Sequence, residues 1–345
     1  PSGIVTTATP IIQYVFDHMP EVGVVTTKSI GLQPRAGYRE PVLSQYAPGC
    51  FVNAVGLTNP GAHESLELLA ALQVPKDRFL LTSIFGGSVE EFVAVAKILA
   101  PVSDGLELNL SCPHAKGYGM AMGQDPDVVR EITAAVKAVV DIPVIPKLTP
   151  NTPDIAEIAE AAIAGGADGL CAINTLGPGY TSAHGHAVLS NGAGGMSGKG
   201  VLPIGLKCVR EVAAVADCPI IGCGGVSSAD DVRAYLDAGA SIVGVGSSLI
   251  GLTTAEIGAY FTTLAADLEG GQDRAETHIR YDIDMRFQPV TLVENKRVCE
   301  DITILTFDRK INVQAGEFIF LWVPGVGEKP FSALTDDPFS LVVID

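Results

Sequence analysis

Positive charge is scarce in this sequence. The 22 lysines and arginines face 39 aspartates and glutamates, for a formal net charge of −17. Nothing here could lay a basic stripe along phosphates, which argues against a nucleic-acid binder. The balance favours solubility and says nothing about fold. An anionic substrate would need local positive charge against that background, so the few lysines at strand ends carry more information than the total. Long apolar runs are missing too. No stretch reaches about 18 apolar residues, so no membrane span is expected. No secretory leader is visible. The seven cysteines (50, 112, 171, 208, 218, 223 and 299) are odd in number and form no C-x-x-C pair. That pattern reads as a reduced cytosolic protein, without a disulfide scaffold or a zinc site. Aromatic residues are only 6% and charged residues 18%, against 47% hydrophobic. The Gly-, Ala- and Val-rich remainder suits small residues packed between helices and parallel strands.

What is present is an alternation. Short apolar β-type runs at 23–27, 79–84, 105–110, 143–148, 169–174, 219–223 and 241–245 are separated by longer stretches, helical for example at 126–140, 152–164 and 201–216. This is the βαβα pattern of a parallel sheet, and continuous Val/Ile/Leu runs fit strands buried on both faces. Seven strands are countable, and an eighth would end at Pro1-Ser2-Gly3. Both chain ends read as interrupted strands, hence as a fragment of a longer protein. Eight strands suggest a (β/α)8 TIM barrel with its first strand truncated. The competing architecture is an open doubly wound sheet.

A barrel puts its chemistry at the C-terminal strand ends, with phosphate held after strands 7 and 8. Here Gly222-Cys223-Gly224-Gly225 and Gly244-Val245-Gly246-Ser247-Ser248 follow the last two runs. Glycines there let backbone N–H groups approach a phosphate, and a following helix N-terminus would add a favourable dipole. The bland alternative is a pair of tight turns with no ligand. Lys28, Asn53, Asn109, Cys112, Lys147, Asn174 and Thr175 each follow or close an apolar run. On a barrel they would converge at one mouth, where buried polar groups need partners.

After about residue 265 the texture changes. A linker is expected at 266–287, and from 288 the pattern is short strands (289–295, 302–307 and 318–323) with no long helix. This predicts a separate antiparallel β domain at 288–345.

Several segments together resemble the dihydroorotate dehydrogenase family. They are Leu106-Glu107-Leu108-Asn109-Leu110-Ser111-Cys112-Pro113, Val24-Val25-Thr26-Thr27-Lys28-Ser29 and Asn53-Ala54-Val55-Gly56-Leu57-Thr58-Asn59-Pro60-Gly61. They continue through Ile173-Asn174-Thr175, Gly194-Gly195-Met196-Ser197-Gly198 and Gly224-Gly225-Val226. The resemblance covers roughly residues 1–265 in the family's order. It implies FMN. Lys28, Asn109 and Lys147 would meet the flavin or its surroundings. Ser2, Ser29, Ile173 and Gly198 would line it, and Gly224, Gly225, Gly246 and Ser247 would hold its phosphate. Substrate would be held by Lys28, the segment Asn53, Ala54, Val55, Gly56 and Leu57, and by Asn109, Asn174 and Thr175. Cys112 would be the base that takes the C5 proton while the C6 hydride leaves for the flavin. The glycine-rich run 114–123 that follows predicts a mobile lid. Cys171, Cys208, Cys218 and Cys223 read as core thiols. His63, His184, His186 and His278 read as structural or surface residues.

One position departs from the family pattern. An Asn often follows the Cys-Pro pair, and here it is His114. With Gly123-Gln124-Asp125-Pro126 downstream, that version also looks like dihydropyrimidine dehydrogenases, which reduce uracil or thymine. A third reading is a non-catalytic electron-transfer flavoprotein. The tail separates these further. Ala315-Gly316-Glu317-Phe318 followed by Glu328-Lys329-Pro330-Phe331-Ser332 resembles the FAD-binding front of ferredoxin-reductase-type subunits. Such subunits carry FAD and a 2Fe-2S cluster beside NAD-linked dihydroorotate dehydrogenases. Lys329, Pro330 and Ser332 would be FAD contacts, although lysine replaces the family's arginine and loses its bidentate fork. A complete FAD site and the cluster are expected only in the complete protein. The resemblance therefore implies an NAD-linked, cytoplasmic, homo-oligomeric enzyme of pyrimidine synthesis. A quinone-using membrane enzyme of the same superfamily would have serine as base, and a fumarate-using form would not need the tail.

Overall fold

The computed structural model describes residues 3–110, 122–270, 284–313 and 317–344. The chain starts with helix α1 (Thr9–His18), strand β1 (Val24–Thr26) and the hairpin strands β2 (Leu43–Ala47) and β3 (Cys50–Asn53). Then helices and strands alternate as α2 (Ala62–Ala70), β4 (Phe79–Ile84), α3 (Val89–Leu99), β5 (Gly105–Asn109), α4 (Pro126–Lys137), β6 (Val144–Leu148), α5 (Ile155–Ala164) and β7 (Leu170–Ala172). Four short strands interrupt, β8 (Leu176–Gly179), β9 (Ser182–Ala183), β10 (His186–Ala187) and β11 (Gly194–Gly198). Alternation resumes with α6 (Leu202–Ala213), β12 (Ile220–Cys223), α7 (Ala229–Asp237), β13 (Ile242–Gly244) and α8 (Thr254–Glu269).

Seven parallel strands form one sheet in the order β1-β4-β5-β6-β7-β12-β13, curled with helices outside in TIM-barrel-like fashion. Each lies within one of the seven apolar runs expected from sequence. The eighth strand, expected to end at residues 1–3, lies outside the described residues apart from Gly3. The strands form where they do because both faces are buried. Leu80, Leu81 and Ile84 on β4 and Leu106 and Leu108 on β5 are within 1% of complete burial. Each such side chain contributes about 1.5–3 kcal/mol on leaving water. Helix starts are set locally. Asp125 caps α4 through the N–H groups of Asp127 and Val128, with Pro126 at the first helical position.

Two expectations need correction. Sequence reasoning missed a four-stranded antiparallel sheet, β2-β3-β11-β8. Asn53 therefore sits on this sheet, opposite Gly195 and Leu43, and not at the end of a barrel strand. The linker expected from residue 266 also begins too early, because α8 continues to Glu269 and is closed at Gly270. A Thr253/Glu256 capping box starts that helix, and its buried Ile257, Tyr260 and Leu264 carry it across the barrel's outer surface.

The tail is antiparallel, as expected. It comprises β14 (Leu292–Cys299), β15 (Ile302–Phe307), β16 (Ile319–Val323), β17 (Gly327–Phe331), β18 (Ala333–Asp336) and β19 (Phe339–Ile344). Its strands form the sheets β14-β15-β19-β18 and β16-β17. Phe307, Phe339 and Leu341 make a small core of its own. Lys329 and Pro330 lie on β17, paired with Leu321 and Phe320, and Ser332 follows that strand.

Candidate active site

At the C-terminal ends of the parallel strands is a cavity of about 360 Å³. Its walls include Lys28, Ser29, the segment from Asn53 to Leu57, Asn109, Lys147, Ile173, Asn174, Thr175, Gly224, Gly225, Gly246 and Ser247. Residues more than two hundred positions apart in sequence thus face one space. Gly198 does not line it but stands directly behind Gly225. Ser2, Cys112 and most of the expected lid (114–121) lie outside the described residues. A larger cavity of about 550 Å³ adjoins at Gly3, Lys28, Val42 and Val55. Its other walls are mainly threonines and aliphatic side chains, so the polar set expected from sequence converges on the smaller one.

The polar groups of the mouth are linked in a row. Ser83 and Ser29 hydroxyls meet at 2.9 Å, Asn109 Nδ2 donates to Ser29 Oγ at 3.0 Å, and Asn174 Nδ2 donates to Asn109 Oδ1 at 3.1 Å. Asn174 Oδ1 then accepts from the Thr175 N–H at 2.8 Å. Asn151 holds the next turn, donating to the Thr175 carbonyl at 3.0 Å and accepting from the Gly177 N–H at 2.8 Å. Fixing each amide in this way costs its rotamer freedom before any ligand arrives. Asn53 is set from the antiparallel sheet, donating to the Gly195 carbonyl at 3.3 Å. Beside it Gly56 (φ +81°) and Leu57 (φ +60°) occupy left-handed backbone, which is unusual for leucine.

Beneath this row lies a buried polar cluster. Lys147 Nζ is 3.7 Å from Glu107 Oε2, with side chains 4% and 1% exposed. Burial works against the lysine's charge, but Glu107 first, and Cys171 and Cys223 with it, together hold the ammonium above its usual range. Cys171 and Cys223 lie alongside, Sγ to Sγ 3.9 Å. The hydrogen bond to Cys223 and burial push the Cys171 thiol well up, so the pair gives up its first proton at Cys223. Cys171, Cys208 and Cys223 are buried as expected, whereas Cys218 is half-buried. Cys223 is also more than a core thiol, because it lines the cavity.

Two glycine loops close the far side. Gly224 (φ +129°) and Gly225 (φ +75°) adopt backbone that other residues avoid. A Cβ on Gly225 would meet the Gly198 carbonyl oxygen at 2.7 Å. The loops are held from behind. Tyr235 Oη donates to the Gly224 carbonyl at 2.8 Å, Tyr260 Oη to the Ser227 carbonyl at 3.2 Å, and Ser248 Oγ ties the two loops together through the Val226 carbonyl at 2.6 Å. Asp231 accepts from the N–H groups of Ser227 and Ser228 and from Lys199 Nζ at 2.6 Å. This changes one expectation. The N-terminus of α7 is closed by its own Ser228/Asp231 capping box, so its dipole already faces a carboxylate. After β13 the first element is a 3-10 turn, Ser247–Leu249, and α8 begins only at Thr254. The backbone of the glycine loops, more than a helix dipole, is what this site offers an anion.

These supports were missed by sequence reasoning. Ser228-Ala229-Asp230-Asp231 carried a legible capping signal, and Glu107, a lone carboxylate in an apolar strand, was another. Burial pushes Asp231 up, but Lys199 and Ser227 outweigh it and hold the carboxyl below its ordinary value of 3.8. Asp231→Asn should therefore cost about 1.5–3 kcal/mol at pH 7. A lowered folded value means that this stability is complete above the unfolded value and is lost as pH falls through the folded one. The gap between wild type and Asp231→Asn in urea unfolding should thus be full at pH 7 and shrink below pH 4 (~3.9 in the unfolded chain). A gap independent of pH would refute the charge assignment.

The family model described as dihydroorotate dehydrogenase matches residues 2–256. The chain belongs to the dihydroorotate dehydrogenase family. It is 45% identical over 236 residues to the dihydroorotate dehydrogenase B (NAD(+)) catalytic subunit of Pyrococcus horikoshii, covering 67% of this chain and 76% of that one. The subunit of the same name from Methanocella arvoryzae is 47% identical over 231 residues, 66% of this chain and 75% of that one. That from Methanocaldococcus jannaschii is 46% identical over 231 residues, again 66% and 75%. The family match ends inside α8 and leaves the antiparallel tail outside it. Among the described residues no helix is long and apolar enough to cross a membrane, and no cluster of His, Cys, Asp and Glu could hold a metal.

Proposed function

We propose that this chain oxidises dihydroorotate to orotate in the de novo synthesis of UMP, with FMN as its resident cofactor. The observation that supports this reading most is the convergence of Lys28, Asn53, Asn109, Asn174 and Thr175 on the cavity whose far wall is the glycine cradle. The residues fit the cofactor. At Gly225 a side chain would collide with backbone, which leaves open a surface of main chain that a phosphate can approach. Gly224, Gly225, Gly246 and Ser247 would hold that phosphate, and Ser2, Ser29, Asn109, Lys147, Ile173 and Gly198 the remainder. When bound, FMN supplies the acceptor for the C6 hydride.

The chain's own residues do the rest. The asparagine side chains each offer a donor and an acceptor to a pyrimidine edge. Lys28 offsets the substrate carboxylate. Cys112, as thiolate, takes the C5 proton, and the C5–H electron pair becomes the C5–C6 double bond as hydride leaves C6. A thiol with an ordinary pKa of about 8.5 suits that task near neutrality once its surroundings tune it. The relatives' names join NAD to a catalytic subunit. Electrons here would pass to NAD through FAD and a 2Fe-2S cluster in a module whose front the tail resembles, with Lys329, Pro330 and Ser332 against the FAD. A cytoplasmic homo-oligomer fits this role.

His114 favours a second reading, reduction of uracil or thymine. The two separate by anaerobic stopped-flow bleaching of FMN at saturating dihydroorotate or dihydrouracil. Dihydroorotate should react at least about a hundredfold faster, since a site built to pair a polar group rejects a ligand lacking it. Faster bleaching by dihydrouracil would transfer the assignment. No bleaching by either would favour a non-catalytic flavoprotein.

A further inference from the structure

The buried pair Glu107–Lys147 is not explained by stability alone. A buried ion pair is often no more stabilising than apolar residues of the same volume. This one is loose as well. Its 3.7 Å separation exceeds the roughly 2.7–2.9 Å of a charge-assisted hydrogen bond. Among the described residues Glu107 Oε1 has no hydrogen-bond partner at all. A carboxylate so placed is costly, and the strand around it (Leu106, Leu108) is otherwise apolar. Its position is informative. Asn109 and Lys147 are register partners on β5 and β6 and both face the cavity. Glu107 is two residues before Asn109 on the same face of β5, one layer deeper, and does not reach the cavity. Among the described residues, Lys147 is the cavity-lining side chain with which it forms an ion pair.

We propose that Glu107 is a positioning residue for the cavity. Its carboxylate keeps the buried Lys147 ammonium charged, and Lys147 presents that charge to the bound cofactor, favouring its more negative reduced form. The second half rests on the FMN reading above. Among the described residues, Cys171 on β7, its register partner, and Cys223 on β12 also face Lys147. Both are weaker counter-charges than a carboxylate, and neither replaces Glu107.

The test reads Lys147 directly. Protein labelled with 13C at the lysine ε carbons is titrated by NMR, with the Lys147 resonance assigned by its loss in Lys147→Met. In wild type Lys147 should stay protonated to pH 11. In Glu107→Gln it should titrate about three units or more below the ordinary lysine value of about 10.4. The Cys171→Ser/Cys223→Ser double variant should move it by less than one unit. A Lys147 that stays protonated in Glu107→Gln overturns the proposal, as does a larger shift in the cysteine variant. The second readout is the FMN midpoint potential by dye equilibration. It should fall in Glu107→Gln at pH 9 and recover as pH drops below the new Lys147 value. Simple removal of a negative charge would instead raise the potential at every pH, so an unchanged or raised potential overturns transmission to the cofactor. Should Glu107→Gln fold poorly, the Glu107→Gln/Lys147→Met pair buries no charge and should show the same lowered potential without the pH recovery. A wild-type chain that takes up no FMN would overturn the FMN reading, and transmission with it. The Lys147 resonance would still decide the role of Glu107.

Discussion

Replacing Cys112 by serine is expected to slow reduction of bound FMN by dihydroorotate by about 10²–10⁴-fold, the usual contribution of a positioned general base. FMN affinity should stay as in wild type. Serine keeps the size of the side chain and nearly removes its acidity, so the change acts on proton removal alone. The expectation starts from Asn109, which lines the cavity at the end of β5. The pH profile gives the sharper reading. In wild type the rate of flavin reduction should rise as the thiol ionises, and in Cys112→Ser that limb should vanish. Anaerobic stopped-flow at the flavin band from pH 6 to 10 measures both. Unchanged kinetics would remove Cys112 from the reaction.

Gly225→Ala should abolish tight FMN binding, raising its dissociation constant at least about a hundredfold. Two costs add. The backbone at φ +75° disfavours any Cβ by about 1–2 kcal/mol. The new methyl would also stand 2.7 Å from the Gly198 carbonyl oxygen and 2.9 Å from the Leu202 N. Neither is the end of a flexible side chain, so the β12–α7 loop itself must move. The Tyr235, Tyr260 and Ser248 bonds resist that movement, and the main-chain surface offered to the phosphate is lost. Gly185→Ala is the control. Gly185 has φ +82° but open space around its Cβ, so it shares the conformational cost without the collision. Fluorescence titration of FMN into each apoprotein compares them. Equal affinities would show that the cradle does not hold the cofactor.

Much of the architecture was legible because it is written locally. Apolar runs of five or six residues alternating with helical stretches specify seven parallel strands without reference to anything distant, and Lys28, Asn109, Lys147 and Asn174, which close or follow such runs, line the cavity. What could not be read involves partners far apart in sequence. The β2-β3-β11-β8 sheet pairs Asn53 with Gly195, and its strands are short and glycine-rich, so their pattern is weak until the partner is present. The end of α8 was misjudged because Gly270 and Gly271 signal a break, whereas the helix, anchored by buried Ile257, Tyr260 and Leu264 and by Arg233 donating to the Asp267 carbonyl, runs on to Glu269.

The sequence by itself determined the parallel-barrel class, the family and the residue types at the mouth, since these follow from periodicity, turn chemistry and motif order. Only the tertiary structure decided how those residues are held and charged. Asp231 closes the helix that was expected to greet a phosphate, and Glu107 sits one layer beneath Lys147 in an otherwise apolar strand. The reason is physical. A residue's type sets which protons and hydrogen bonds it can offer, but burial and the nearest counter-charge set which of them it keeps, and those depend on strands that meet only when the barrel curls.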